Sequence, residues 1–106
     1  MRKKELLHLY KITHLMNIAR KFIVSGLVQG VGFRFFTQRA AARHQVLGYV
    51  QNLDNGTVET LVEGNEKAVK AFHEELLVGP NFSRVEQVEE TVLEPTDLYT
   101  TFIIER

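Results

Sequence analysis

Apolar residues recur along this chain at two spacings, and the changes between them mark out its elements. From Phe22 to Gln29, β-branched and aromatic residues stand on both faces, as in a central strand. From about Arg34 to Val46 the repeat becomes helical. Phe36, Ala40, Ala41, His44 and Leu47 fall near one face, and Gly48 reads as the helix stop. Tyr49 to Leu53 predicts a second strand, Asp54-Asn55-Gly56 a tight turn, and Thr57 to Glu63 the returning strand. There Val58, Thr60 and Val62 alternate with Glu59, Leu61 and Glu63. Glu59 and Glu63 are expected to face water, which leaves Leu61 as the odd one out.

Gly64-Asn65 opens a second helix with Asn65 as its N-cap. Ala68, Val69, Phe72, Leu76 and Leu77 form its apolar face, and Gly79-Pro80 ends it. Residues 83–93 and Tyr99 to Glu105 read as two further strands, the last with Phe102 and Ile104 on one face. The order β-α-β-β-α-β plus a C-terminal strand predicts the α+β, ferredoxin-like βαββαβ sandwich. That is a mostly antiparallel sheet with two helices on one face.

A chain of 106 residues suits one small domain. Its zero net charge hides a split. Arg2, Lys3, Lys4, Lys11, Arg20 and Lys21 face only Glu5 in the first 21 residues, a balance of +5, while the remainder carries −5. The reading is a basic extension over residues 1–20 and an acidic domain over 21–106. An acidic body argues against broad binding to nucleic-acid phosphates. With no cysteine there is no disulfide framework, thiol nucleophile or thiolate metal site. That composition favours a reducing compartment, the cytoplasm. No run approaches the roughly 20 apolar residues of a membrane span, so no membrane partner is expected.

The extension starts with positive charge and some leucines, but Lys11, His8 and His14 interrupt its apolar part and no small-residue cleavage site follows. Leu6, Leu7, Tyr10, His14 and Leu15 can share one face of a short amphipathic helix; a frayed tail is the simpler reading. Met16 offers a second possible start of translation.

Between the first strand and the first helix lies G-L-V-Q-G-V-G-F-R, Gly26 to Arg34. Glycines permit positive φ, so successive N–H groups can line one concavity. The helix N-terminus adds unpaired donors and partial positive charge, and Arg34 adds a planar donor fork that matches a phosphoryl group. Spacing alone leaves two readings open: a phosphate-sized anion site at Gln29 to Arg34, or a tight turn with an exposed arginine. The pattern is neither a P-loop nor a dinucleotide fingerprint. His8, His14, His44 and His73 show no metal-ligand spacing. Glu74-Glu75 and Glu89-Glu90 read as solvated faces, and Thr37 as making a local backbone bond.

The string G-L-V-Q-G-V-G-F-R resembles the acylphosphatase signature G-x-V-Q-G-V-x-(aromatic)-R. A second stretch, G-Y-V-Q-N-L-D-N-G-T-V-E from Gly48 to Glu59, is similar to that family's second motif. Val62-Glu63-Gly64, Gly79-Pro80 and the terminal F-I-I-E-R are further echoes, so the likeness runs over about residues 20–106. Leu27, Gly32, Gln51 and Thr57 fall where the family pattern is tolerant. The extension is longer than the family's usual start.

The resemblance implies hydrolysis of acyl phosphates to carboxylate and phosphate, without metal or cofactor. It implies that the amides of Gln29, Gly30, Val31, Gly32 and Phe33, together with Arg34, bind the phosphate. It implies that Asn52 holds the attacking water; by position alone an Asn beside a hairpin is more often a turn residue, although Asn55 is the better turn candidate here. The implied partner is a small-molecule acyl phosphate, and a monomer is the default. Two other functions compete. One is a non-catalytic phosphate or acyl-phosphate binding module. The other is a nucleic-acid binder using the sheet, but the aromatic RNP string is missing.

Overall fold

The structure, a computed structural model, describes residues 2–7 and 17–106. Strands β1 (Ile18–Leu27), β2 (Leu47–Asn52), β3 (Val58–Gly64), β4 (Arg84–Leu93) and β5 (Phe102–Ile104) and helices α1 (Phe33–His44) and α2 (Glu66–Val78) follow one another in the expected ferredoxin-like order. The sheet runs β4-β1-β3-β2-β5. β1 and β2 are each antiparallel to β3, and β5 is parallel to β2. Hence β1, β2 and β5 point the same way, and their C-terminal ends meet at one end of the sheet.

Both helices cover one face. Of its expected apolar face, α2 buries Val69, Phe72 and Leu76 and half-buries Ala68, while Leu77 is exposed, and Asn65 caps it by accepting from the Ala68 N–H at 2.8 Å. The Phe72 ring lies 6.2 Å from both Phe22 and Phe102, which joins the helix to the central and the edge strands. At the far ends of the helices, Arg43 Nη2 sits 2.5 Å from Glu75 Oε1, and His44 Nε2 also contacts that carboxylate. Glu75 is therefore a half-buried helix–helix clasp rather than a solvated face. Chiefly the Arg43 hydrogen bond holds its carboxyl below the usual range, against an opposing effect of burial.

The last strand covers only Phe102–Ile104 of the expected Tyr99 to Glu105, and four further expectations need correction. β1 spans Ile18–Leu27, so Val28 and Gln29 belong to the loop that follows. The buried stripe of α1 is Phe33, Thr37, Ala40 and Ala41 rather than one built on Phe36. A threonine is tolerated in that stripe because its hydroxyl donates to the Phe33 carbonyl at 2.8 Å. Gly48 does not stop α1. Gln45, at φ 56°, does so, and Gly48 lies within β2, where a Cβ would fall 1.8 Å from the Leu61 carbonyl oxygen.

The fourth correction concerns Glu63, which is only 4% exposed. Its carboxylate accepts from the Thr96 N–H (2.9 Å), the Thr96 hydroxyl (3.0 Å) and the Asp97 N–H (2.9 Å). The connection from β4 to β5 thus crosses the helix-free face of the sheet and seals this carboxylate in. Residues 3–7 are helical and exposed, with Leu6 and Leu7 among them. Tyr10, His14 and Leu15 of the expected amphipathic face lie outside the described residues, as do His8 and Met16.

Candidate active site

The sheet direction explains where the site forms. The loop after β1, the last residue of β2 and the residues after β5 all emerge at the same end, and α1 begins there. A cavity of about 190 Å³ opens between them, lined by Val28, Gly30, Gly32, Phe33, Arg34, Phe35, Asn52, Ile104 and Arg106. At about 30 Å³ per liquid water, it has room for a phosphoryl group and neighbouring water.

Gly30 and Gly32 take φ of 75° and 77°, one on each side of Val31. A side chain at either position would be strained in that conformation, although nothing lies within 4 Å of a built Cβ. The strain belongs to the backbone, and the space above both glycines is open. Among the described residues, none of the Gly30, Val31 and Gly32 N–H groups donates to a backbone carbonyl. Phe36 N–H makes the first bond of the helix, to the Gly32 carbonyl at 3.0 Å, so the amides before it add the orphan donors of a helix start. The first turn of α1 carries no acidic residue to neutralise them. Unpaired N–H donors at a glycine loop and a helix start are the chemistry that suits an anion.

Each expected site residue has a distinct place. Arg34, second in α1 and half-exposed, lines the cavity beside these amides. Phe33 is only 2% exposed, and its side chain belongs to the core, leaving its backbone for the site. Val31 is half-buried and packs against the core from the loop. Asn52, the last residue of β2, pairs with Val58, and Val24 of β1 pairs with the same residue from the other side of β3. That shared register brings Asn52 to the cavity that Arg34 lines.

Gln29 plays a part its position in the string does not announce. Its Nε2 donates to the Leu53 carbonyl at 2.8 Å and to the Thr57 carbonyl at 2.9 Å. The side chain thereby ties the glycine loop to the hairpin that carries Asn52. The hairpin turn holds itself as well: Leu53 N–H donates to Thr57 O, Gly56 N–H to Leu53 O, and the Asn55 carboxamide accepts from Thr57. Asn55, rather than Asn52, is the turn residue.

Other candidates stand apart from the cavity. His44 belongs to the Glu75 clasp, and the His73 ring stacks on Phe22 at 4.6 Å. Among the described residues no cluster of His, Cys, Asp and Glu could hold a metal ion. No helix among them is long and apolar enough to cross a membrane. Val28, Phe35, Ile104 and Arg106 line the cavity although the sequence did not mark them as site residues. The only signal for Arg106 was its place in the terminal F-I-I-E-R.

The acylphosphatase family model matches residues 20–104, which include the loop, Arg34 and Asn52. The chain belongs to the acylphosphatase family. An acylphosphatase of Clostridium perfringens is 45% identical over 73 residues, covering 69% of this chain and 82% of that protein. The crystal structure of acylphosphatase from Bacillus subtilis superimposes with a TM-score of 0.81 at 38% identity, covering 84% of this chain and 99% of that one. HypF from T. kodakarensis is also similar, with a TM-score of 0.75 and 37% identity; 84% of this chain matches 12% of that much longer one.

Proposed function

We propose that this protein is an acylphosphatase in the chemical sense, cleaving the carboxyl–phosphate anhydride of a small acyl phosphate. The observation that carries the reading is that Gly30, Gly32, Phe33, Arg34 and Asn52 line one cavity. The amides of Gln29 to Phe33 and the Arg34 guanidinium hold the phosphoryl oxygens and stabilise the charge that builds on them. Asn52 orients a water in line with the leaving carboxylate.

The water oxygen bonds to phosphorus as the phosphorus–acyl oxygen bond breaks. The electron pair leaves with the carboxylate, and the water proton passes to a phosphate oxygen. A carboxylate is a good leaving group, so little general-acid help is needed. Phosphoryl transfer asks mainly for positioning and charge stabilisation, which is what this cavity offers. No step of the scheme draws on a cofactor.

The test is hydrolysis of benzoyl phosphate by the purified protein, with EDTA present, followed by ultraviolet absorbance. Folded Arg34→Ala and Asn52→Ala variants should each lose about 10²–10³ in kcat, by analogy with other preorganised donors. Phosphate binding without turnover by the folded wild type would instead make the chain a non-catalytic phosphate-binding module. Turnover unchanged in Asn52→Ala would remove Asn52 from the mechanism.

A further inference from the structure

The scheme above places the phosphoryl half of the substrate and leaves the acyl half unassigned. With phosphate on the loop amides, the acyl group has to leave the cavity across its rim. Phe35, third in α1, stands there. It lines the cavity, yet the residue is 58% exposed. The helix fills the core with Phe33, Thr37, Ala40 and Ala41, so it makes no use of Phe35 for packing.

One turn further on, the Arg39 guanidinium lies 5.6 Å from the Phe35 ring centroid. A guanidinium over an aromatic face is attracted to it, so the ring is steadied from that side. Ile104 continues the apolar border, and Arg106 makes the rim cationic. Acyl groups suited to such a rim are apolar and carry no positive charge.

We propose that Phe35, steadied by Arg39, is a specificity-determining platform on which the acyl group stacks, selecting aromatic acyl phosphates over acetyl-sized ones. The proposal rests on the reading of the cavity as an acyl-phosphate site.

Two non-hydrolysable probes test it, benzoylphosphonate and acetylphosphonate, titrated calorimetrically into wild type, Phe35→Ala and Phe35→Tyr. Wild type should bind the benzoyl probe more tightly. The benzoyl-to-acetyl affinity ratio should fall about 2- to 10-fold in Phe35→Ala, the range expected for one lost aromatic contact. Phe35→Tyr keeps the ring and should keep the ratio. Equal affinities in wild type, an unchanged ratio in Phe35→Ala, or failure of both probes to bind would each overturn the platform. Benzoyl phosphate turnover in the same preparations reads the proposed function separately. A protein that discriminates between the probes without hydrolysing the anhydride keeps the platform and loses the enzyme. One that hydrolyses it while binding both probes equally keeps the enzyme and loses the platform.

Discussion

Gln29 offers a test of how this site is held together. Gln29→Leu keeps much of the side-chain bulk and deletes both hydrogen bonds to the hairpin, at 2.8 and 2.9 Å. Two neutral hydrogen bonds are worth roughly 1–3 kcal/mol together. The lower part of that range applies, because neither carbonyl is orphaned. Leu53 O still accepts from Gly56 N–H, and Thr57 O from Leu53 N–H. The expected loss is about 1–2 kcal/mol, or roughly 4–15 °C in Tm for a domain of this size. The larger consequence is positional. Without the tether, the amide loop and Asn52 no longer share a fixed spacing, and a misplacement of about 1 Å can cost on the order of 10²-fold in rate.

The expected outcome is a fall of about 10- to 100-fold in benzoyl phosphate kcat. The inhibition constant of inorganic phosphate should change much less, because the loop amides and Arg34 remain. Gln29→Glu should be worse in both stability and rate, since it sets a carboxylate against two carbonyl oxygens. Circular dichroism melts and steady-state kinetics on the same samples supply the measurements. A Gln29→Leu protein that melts lower but turns over at the wild-type kcat would refute the coupling. The tether would then be structural alone.

Gly48→Ala and Gly32→Ala should part company in a melting experiment. The first sets a Cβ 1.8 Å from a carbonyl oxygen and should cost more than about 4 kcal/mol or prevent folding. The second meets no atom within 4 Å and should cost only the roughly 1–2 kcal/mol of a left-handed residue. Glu63→Ala strands three donors in a site 4% exposed and, at about 1–3 kcal/mol for each buried donor left unsatisfied, should cost about 3–5 kcal/mol by denaturant unfolding, with benzoyl phosphate KM little changed. Burial first, then the Glu59 carboxylate, push the Tyr49 phenol up to about 12. Its phenolate absorbance should therefore rise well above the ordinary pH of about 10. Because the folded state disfavours the charged form, this contribution to stability is intact below pH 10 and is lost between about 10 and 12. Tyr49→Phe should flatten that part of the pH–stability curve.

What the sequence determined by itself was local. The helical repeat of α2, its Asn65 cap, the Asp54-Asn55-Gly56 turn and the glycine loop ending in Arg34 each depend on residues a few positions apart. Backbone sterics and short-range hydrogen bonds decide such features, and a single stretch of chain carries all the information they need. The family motifs named Asn52, but nothing near residue 52 shows why it should meet residue 34.

The tertiary structure decided that meeting. β1 and β2 flank β3 in the same direction, so their C-terminal ends lie side by side, and β5 brings Ile104 and Arg106 to the same end. It also decided that Glu63 is buried, because alternation along a strand says which face a residue takes and not whether a later connection covers that face. It turned Gly48 from a helix stop into a point of close approach to Leu61 on the neighbouring strand, a contact with no local signature. It gave Gln29 a structural task for the same reason. The two carbonyls that receive its amide are 24 and 28 residues away, and only the folded sheet brings them within 3 Å.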